Sequence, residues 1–187
     1  MPAILPPNCT EVYKGFMFNI FQCPMRQFDD STKTFEYMVR QDSVTIIAFL
    51  DPETIILTEQ KQPGRPDPFI DFPGGRVDEG ETHEQAALRE FKEETGYRIG
   101  RIMPLWNMHL MGSTRFEKTF YIATDLKKIS DSKLDGGENI RVFSESLVDV
   151  SKRCAKYELR QLGGMLCILN IIHDPETNQK IMSWLKT

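Results

Sequence analysis

The sequence predicts a mixed α/β (α+β) chain with an antiparallel β extension at its N-terminus. Three observations carry that expectation. Short runs with strand periodicity fill most of residues 12–72. One helix-patterned segment, from Thr82 to Gly96, separates them from later strand-like runs that end near Phe143. From Ser144 onward the patterning is helical. With 187 residues, the chain fits one domain with an extension and can bury a sizeable core.

The elements follow in order. Val12 to Cys23 alternates apolar residues, with Phe16, Phe18 and Ile20 on one face, and reads as a strand. Pro24 to Lys33 is polar and turn-like, and Phe35, Tyr37 and Val39 alternate again. Ser43 to Leu50 (SVTIIAFL) is nearly continuous apolar sequence, as in a central strand covered on both faces. Asp51 to Thr54 is a turn and Ile55 to Gln60 the returning strand of a hairpin. A proline-rich loop from Lys61 to Pro68 leads to a short strand, Phe69 to Phe72, which Pro73-Gly74-Gly75 breaks. Thr82 and Gln85 have capping-box spacing, and Gly96 supplies the helix stop. Strands are expected at Ile102–His109, Phe116–Ala123 and Asn139–Phe143. Helices are expected at Ser144–Lys152, Glu158–Ile172 and Asp174–Lys186, the last with Asp174 as N-cap and Pro175 at N1.

Composition narrows the function classes. The chain has 23 Lys and Arg against 27 Asp and Glu, a formal charge of -4, so backbone-driven nucleic-acid binding is not expected. The opening MPAILPPNCTEVYKG lacks a basic region followed by a long apolar run, and no stretch is long and apolar enough to span a bilayer. The expectation is a cytoplasmic protein without a membrane partner. Cys9, Cys23, Cys154 and Cys167 form no Cys-x-x-Cys pair and read as dispersed reduced thiols.

The chemistry concentrates in residues 75–97, GRVDEGETHEQAALREFKEETGY. Glu90, Glu93 and Glu94 fall at i, i+3 and i+4 and share one helix face. Like charges at that spacing repel, and a cation between them reverses the sign. Oxygen ligands at this density suit Mg2+ or Mn2+. Ala86, one turn back, leaves room for metal or substrate, while Ala87, Leu88 and Phe91 dock the helix on the sheet. From Gly74 to Tyr97 there are seven acids and three bases, so this segment alone carries the net charge of the whole chain.

The same residues match Gly-x5-Glu-x7-Arg-Glu-U-x-Glu-Glu-x-Gly-U, with U a bulky apolar residue. Gly75, Glu81, Arg89, Glu90, Glu93, Glu94 and Gly96 fill every fixed position. Chance gives that at about one in 10^8 per start. The segment thus resembles the Nudix box, with Phe91 and Tyr97 where aliphatic residues are usual. The resemblance extends over roughly Ser43 to Phe143. It implies a Nudix α/β/α sandwich with a mixed β-sheet over residues 43–187, carrying C-terminal helices. Residues 1–42 would form a β extension used for homodimerisation and for part of the nucleotide site.

By the same resemblance, Gly74, Glu90, Glu93 and Glu94 would hold Mg2+ or Mn2+. Glu81 would support that shell, and Arg89 would orient a glutamate. Two general bases are open: Glu93, or Glu138 in LDGGENIRV (Leu134 to Val142), which is similar to the mobile loop of the ADP-ribose pyrophosphatase branch. TEQKQPG (Thr58 to Gly64) and the long N-terminal region also resemble that branch. The departures are Gln62 where an Arg is usual and Met111-Gly112 where Pro-Gly is usual. Lys61, Arg65, Arg76 and Arg115 are candidates to hold phosphates, and Phe18, Phe69 and Trp106 to stack on a base. His109 is a candidate neighbour of the site.

The resemblance implies metal-dependent hydrolysis of the pyrophosphate bond of a nucleoside diphosphate sugar, with ADP-ribose foremost. The partner is then a small nucleotide. The alternatives are a housecleaning hydrolase of dinucleoside polyphosphates or modified nucleotides, and a binding module without turnover. Retention of every box glutamate argues against the latter.

Overall fold

The computed structural model describes residues 5–109, 112–131 and 139–186. In chain order the strands are β1 (Thr10–Lys14), β2 (Asn19–Arg26), β3 (Thr32–Val39), β4 (Ser43–Asp51), β5 (Thr54–Lys61) and β6 (Phe69–Asp71). Helix α1 (His83–Thr95) comes next, followed by β7 (Tyr97–Arg98), β8 (Arg101–His109), β9 (Thr114–Arg115), β10 (Glu117–Thr124), β11 (Lys127–Lys128) and β12 (Asn139–Ser146). Helices α2 (Leu147–Ala155), α3 (Leu162–His173) and α4 (Pro175–Lys186) close the chain.

The main sheet has the order β12-β5-β4-β10-β8, with β6 also pairing with β5. Only β4 and β10 run parallel within it, so the sheet is mixed. Alternation along β4 divides the core. Val44, Ile46 and Ala48 face α1, where Ala86, Ala87 and Phe91 pack on them. Ile47 and Phe49 face the other way, against Val150, Ile168, Ile171 and Ile181 of α2, α3 and α4. One sheet between helices on both faces is the expected α/β/α sandwich. It also explains why SVTIIAFL reads as a continuous apolar run.

The N-terminal strands form a separate sheet, β1-β2-β3-β9. The stretch expected as one strand from Val12 to Cys23 is a hairpin. Gly15 N–H donates to Phe18 O at 3.1 Å and turns the chain. Aromatic residues on both sides hide that turn, since the glycine is its one turn-forming residue. Strand β2 then continues through Pro24 to Arg26. Register explains how proline is tolerated there. Strand β1 reaches only as far as Gln22, so Pro24 has an unpaired edge towards it.

The same register corrects the thiol expectation. Cys9 and Cys23 form a disulfide, with Cα atoms 4.1 Å apart, because neighbouring strands bring them together across 14 residues of sequence. Cys154 and Cys167 are free and buried, and burial pushes their thiols up to about 11 and about 12.

The tail differs in its boundaries. Ser144 to Ser146 extend β12 along β5 instead of starting a helix. Helix α2 starts one residue later because Ser146 Oγ accepts Asp149 N–H at 3.1 Å. Helix α3 starts at Leu162 because Leu159 and Arg160 bond alongside Ile70. Helix α4 begins as expected, with Asp174 Oδ2 accepting Thr177 N–H at 2.9 Å. No helix among the described residues is long and apolar enough to cross a membrane.

Candidate active site

Helix α1 is fixed at both ends. Thr82 Oγ1 accepts Gln85 N–H at 3.2 Å, and Gln85 Oε1 accepts Thr82 N–H at 2.8 Å. Gly96 ends the helix in the left-handed region at φ 70° and returns its N–H to Lys92 O. A second tie lies at the N-terminus. His83 Nδ1 is 2.6 Å from Thr119 Oγ1, and its Nε2 is 3.4 Å from Asp42, whose other oxygen accepts Glu117 N–H at 2.6 Å. These bonds lock the helix start to β10.

The buried face of the helix is Ala86, Ala87 and Phe91. Ala86, one turn before Glu90, lies in the core, and Leu88 is exposed. The sheet presses on a face rotated from the expected one, because the smallest residues approach it most closely.

Glu94 is the buried carboxylate of the three, at 5% exposure. Its Oε2 accepts Gly74 N–H at 2.9 Å, and Gln60 Nε2 lies 3.4 Å from Oε1. Glu93 reaches solvent. Glu90 faces Gly75 so closely that a Cβ on that glycine would lie 2.3 Å from the carboxylate carbon. The Pro73–Gly75 turn that brings these backbones in is held against β4 by Ile46 N–H to Pro73 O and Val44 N–H to Gly75 O, both 2.9 Å.

Arg89 organises the remaining charge, and all five of its donors are occupied. Nε and Nη2 grip Glu81 at 2.9 and 2.8 Å. Nη1 reaches Glu90 at 2.9 Å and Glu93 at 3.2 Å, and Nη2 also donates to Arg76 O at 3.0 Å. Such a fork needs a planar guanidinium, which lysine cannot replace. The network raises the Arg89 pKa further above its ordinary value and holds Glu81 below the usual carboxylate range. A depressed carboxylate contributes stability at neutral pH that is lost as pH falls through its folded pKa. Glu81→Gln should therefore be less stable than wild type at neutral pH. The gap should close below the 4.5 of an ordinary glutamate. Urea midpoints across that range check it; a gap independent of pH would remove Arg89 as the cause.

These groups line one side of a cleft of about 430 Å3. Gly74 and Gly75 form part of its wall, and Arg40, Arg76, Lys118 and Arg160 also line it. Of the four expected phosphate ligands, Arg76 lines the cleft, with its guanidinium 5.3 Å from the Phe16 ring. Lys61, Arg65 and Arg115 lie outside that lining. Lys61 ends β5 and is exposed, Arg65 covers Phe69, and Arg115 covers Tyr37. Trp106 stacks on Phe120 at 5.3 Å, Phe18 leans on Tyr13, and exposed His109 is 3.9 Å from Glu117. Glu138 lies outside the described residues, as do Gly136, Gly137 and Met111. The cleft also contains Asp71, Lys118, Arg160 and Gln161, which carry no local signal in the sequence.

A mixed sheet between helices, with an acidic helix face and paired glycines at one cleft, defines a hydrolase of the Nudix class. The NUDIX domain model matches residues 39–152, and the chain belongs to that family as a Nudix pyrophosphatase. The ADP-ribose pyrophosphatase of Bacillus subtilis (strain 168) is 22% identical over 144 residues, which cover 76% of this chain and 78% of that protein. A putative 8-oxo-dGTP diphosphatase of the same organism is 46% identical over 52 residues, covering 28% of this chain and 32% of the relative. A solved structure of an ADP compounds hydrolase superposes with a TM-score of 0.67 at 20% identity, covering 96% of this chain and 92% of that one.

Proposed function

We propose that the protein hydrolyses the pyrophosphate bond of a nucleoside diphosphate sugar, with ADP-ribose the first candidate, giving a nucleoside monophosphate and a sugar phosphate. The observation that carries this reading is one cleft with two kinds of wall. Glu90, Glu93 and Glu94 supply anionic oxygens, and basic side chains share the same space. Bare carboxylates repel a pyrophosphate, so a cation belongs between them. The donor set fits Mg2+ or Mn2+, being hard carboxylate oxygens, and the missing side chain of Gly75 lets the Glu90 carboxylate lie against the backbone. Glu90, Glu93, Glu94 and the Gly74 backbone would hold the ion. When bound, such an ion neutralises phosphate oxygens and lowers the pKa of its water.

The other roles belong to the chain itself. Arg89 holds Glu90 and Glu93 in place through Nη1, while Glu81 anchors Arg89. Arg76 meets a phosphate oxygen from the cleft wall, and Lys61, Arg65 and Arg115 remain candidates for parts of the substrate beyond it. Glu93, free on its solvent side, or Glu138 takes the proton of the attacking water. Residues 1–42 serve as a dimerising extension of a hydrolase domain at 43–187. Exposed Phe16, Met17, Phe18 and Phe35 support that pairing.

Turnover with Mg2+ should be measured against ADP-ribose, other nucleoside diphosphate sugars, diadenosine polyphosphates and 8-oxo-dGTP. AMP release fastest from ADP-ribose is the expected result. Preference for 8-oxo-dGTP would favour the second reading, which the name of the other Bacillus relative supports. Light scattering on the same sample should give a dimer, and a monomer mass would remove the pairing.

A further inference from the structure

The cleft holds a second polar cluster that the hydrolytic machinery does not use. Asp71 closes β6 with 3% exposure, and its Oδ1 accepts Phe72 N–H at 2.9 Å. Gln161 bonds the same carboxylate and, through Oε1, accepts Thr45 Oγ1–H at 2.5 Å. The amide is thereby oriented, with oxygen towards Thr45 and nitrogen towards Asp71. Lys118 enters from β10, beside Ser43 of β4, and interacts with the charges of Asp71, Arg40 and Arg160. Arg160 is set by its backbone N–H on Ile70 O at 3.1 Å, by Nη1 on Gln62 at 3.1 Å, and by the Phe69 ring 4.6 Å away.

Its place in the cleft indicates what this cluster is for. Five cations, Arg40, Arg76, Arg89, Lys118 and Arg160, line the cleft with four carboxylates, Asp71, Glu90, Glu93 and Glu94, and Arg89 is already engaged by Glu90 and Glu93. Burial lowers Lys118 to about 8 and raises Asp71 to about 6, and the charge of each partly offsets the shift of the other. Lys118 and Arg160 face the same space as the acidic helix face, so a phosphate brought there with a cation would meet both.

We propose that Lys118 and Arg160, which share the cleft with the Glu90, Glu93 and Glu94 carboxylates, form an anion subsite for phosphoryl oxygens of the substrate's pyrophosphate. Arg160 offers a planar fork and Lys118 a point charge, a pairing suited to tetrahedral phosphate oxygens. The inference rests on the pyrophosphate reading above and adds the residues that set affinity. Asp71 acts on Lys118 through its opposite charge in the same cleft.

The test uses Lys118→Met, Lys118→Arg and Arg160→Met. Calorimetry follows binding of inorganic pyrophosphate with Mg2+, and steady-state kinetics follow ADP-ribose. Each Met variant should weaken pyrophosphate binding by about tenfold or more and raise KM more than it lowers kcat. Lys118→Arg should recover most of the loss, which a purely structural role would not allow, since the larger head would crowd a packed pair. Wild-type affinity in a folded Lys118→Met protein would overturn the proposal. If that variant does not fold, exposed Arg160 carries the test, and unchanged affinity in Arg160→Met overturns it. Wild type that binds pyrophosphate but ignores ADP-ribose would refute the sugar reading and leave the subsite standing. Turnover of ADP-ribose with unchanged KM in both Met variants would refute the subsite alone.

Discussion

Glu94→Gln will lower turnover by about two to three orders of magnitude, with the fold retained. Glu94 is the carboxylate withdrawn from solvent, with Gly74 N–H on one oxygen and Gln60 near the other. Glutamine keeps its shape, so Gly74 still finds an acceptor. The Gln60 amide, which also bonds Thr58 Oγ1, can rotate to accept from the new NH2. Packing is therefore conserved and the negative charge is lost. Metal affinity, measured by Mn2+ titration without substrate, should fall together with kcat/KM. A variant with wild-type turnover would exclude Glu94 from the cation site. Lost turnover with intact Mn2+ binding would move its role to the substrate.

Alanine at the two adjacent glycines will separate fold from chemistry. A Cβ at Gly74 would lie 2.2 Å from Val44 O, and the residue sits at φ +151°. That oxygen belongs to the central strand and cannot move aside. Gly74→Ala should cost about 3 kcal/mol. For a chain of this size that lowers Tm by roughly 6–12 °C. At Gly75 the obstacle is instead the Glu90 carboxylate, 2.3–2.5 Å away, at the free end of a side chain. Gly75→Ala should melt within a few degrees of wild type and lose about 100-fold in turnover, the usual cost of displacing a positioned group by about 1 Å. Melting curves and kinetics on the pair decide it. Equal losses of stability would show that Glu90 is as rigid as the strand.

The helix was the most legible part of the chain. Its cap, its stop and the shared face of Glu90, Glu93 and Glu94 are all local, set by 3.6 residues per turn and hydrogen bonds spanning three or four residues. The central strand was legible for a similar reason, since SVTIIAFL has no polar face to expose. Where the reading failed, the cause was long-range. The turn at Gly15 follows from pairing of β1 with β2, and the added residues of β12 from a partner strand, β5, about ninety residues away. Neither leaves a trace in local patterning. The orientation of Ala86 and Leu88 depended on which helix side the sheet met.

Sequence alone determined the acidic segment, its spacing and hence the family, because those features lie within one helix and the turn before it. Tertiary structure decided what stands around that segment. It brought Cys9 to Cys23, withdrew Glu94 while leaving Glu93 in solvent, and gathered Asp71, Lys118 and Arg160 from β6, β10 and the segment before α3. Those residues are 42 to 89 positions apart in the chain. Strand order and register alone make them neighbours, and no local periodicity encodes a pairing at that distance.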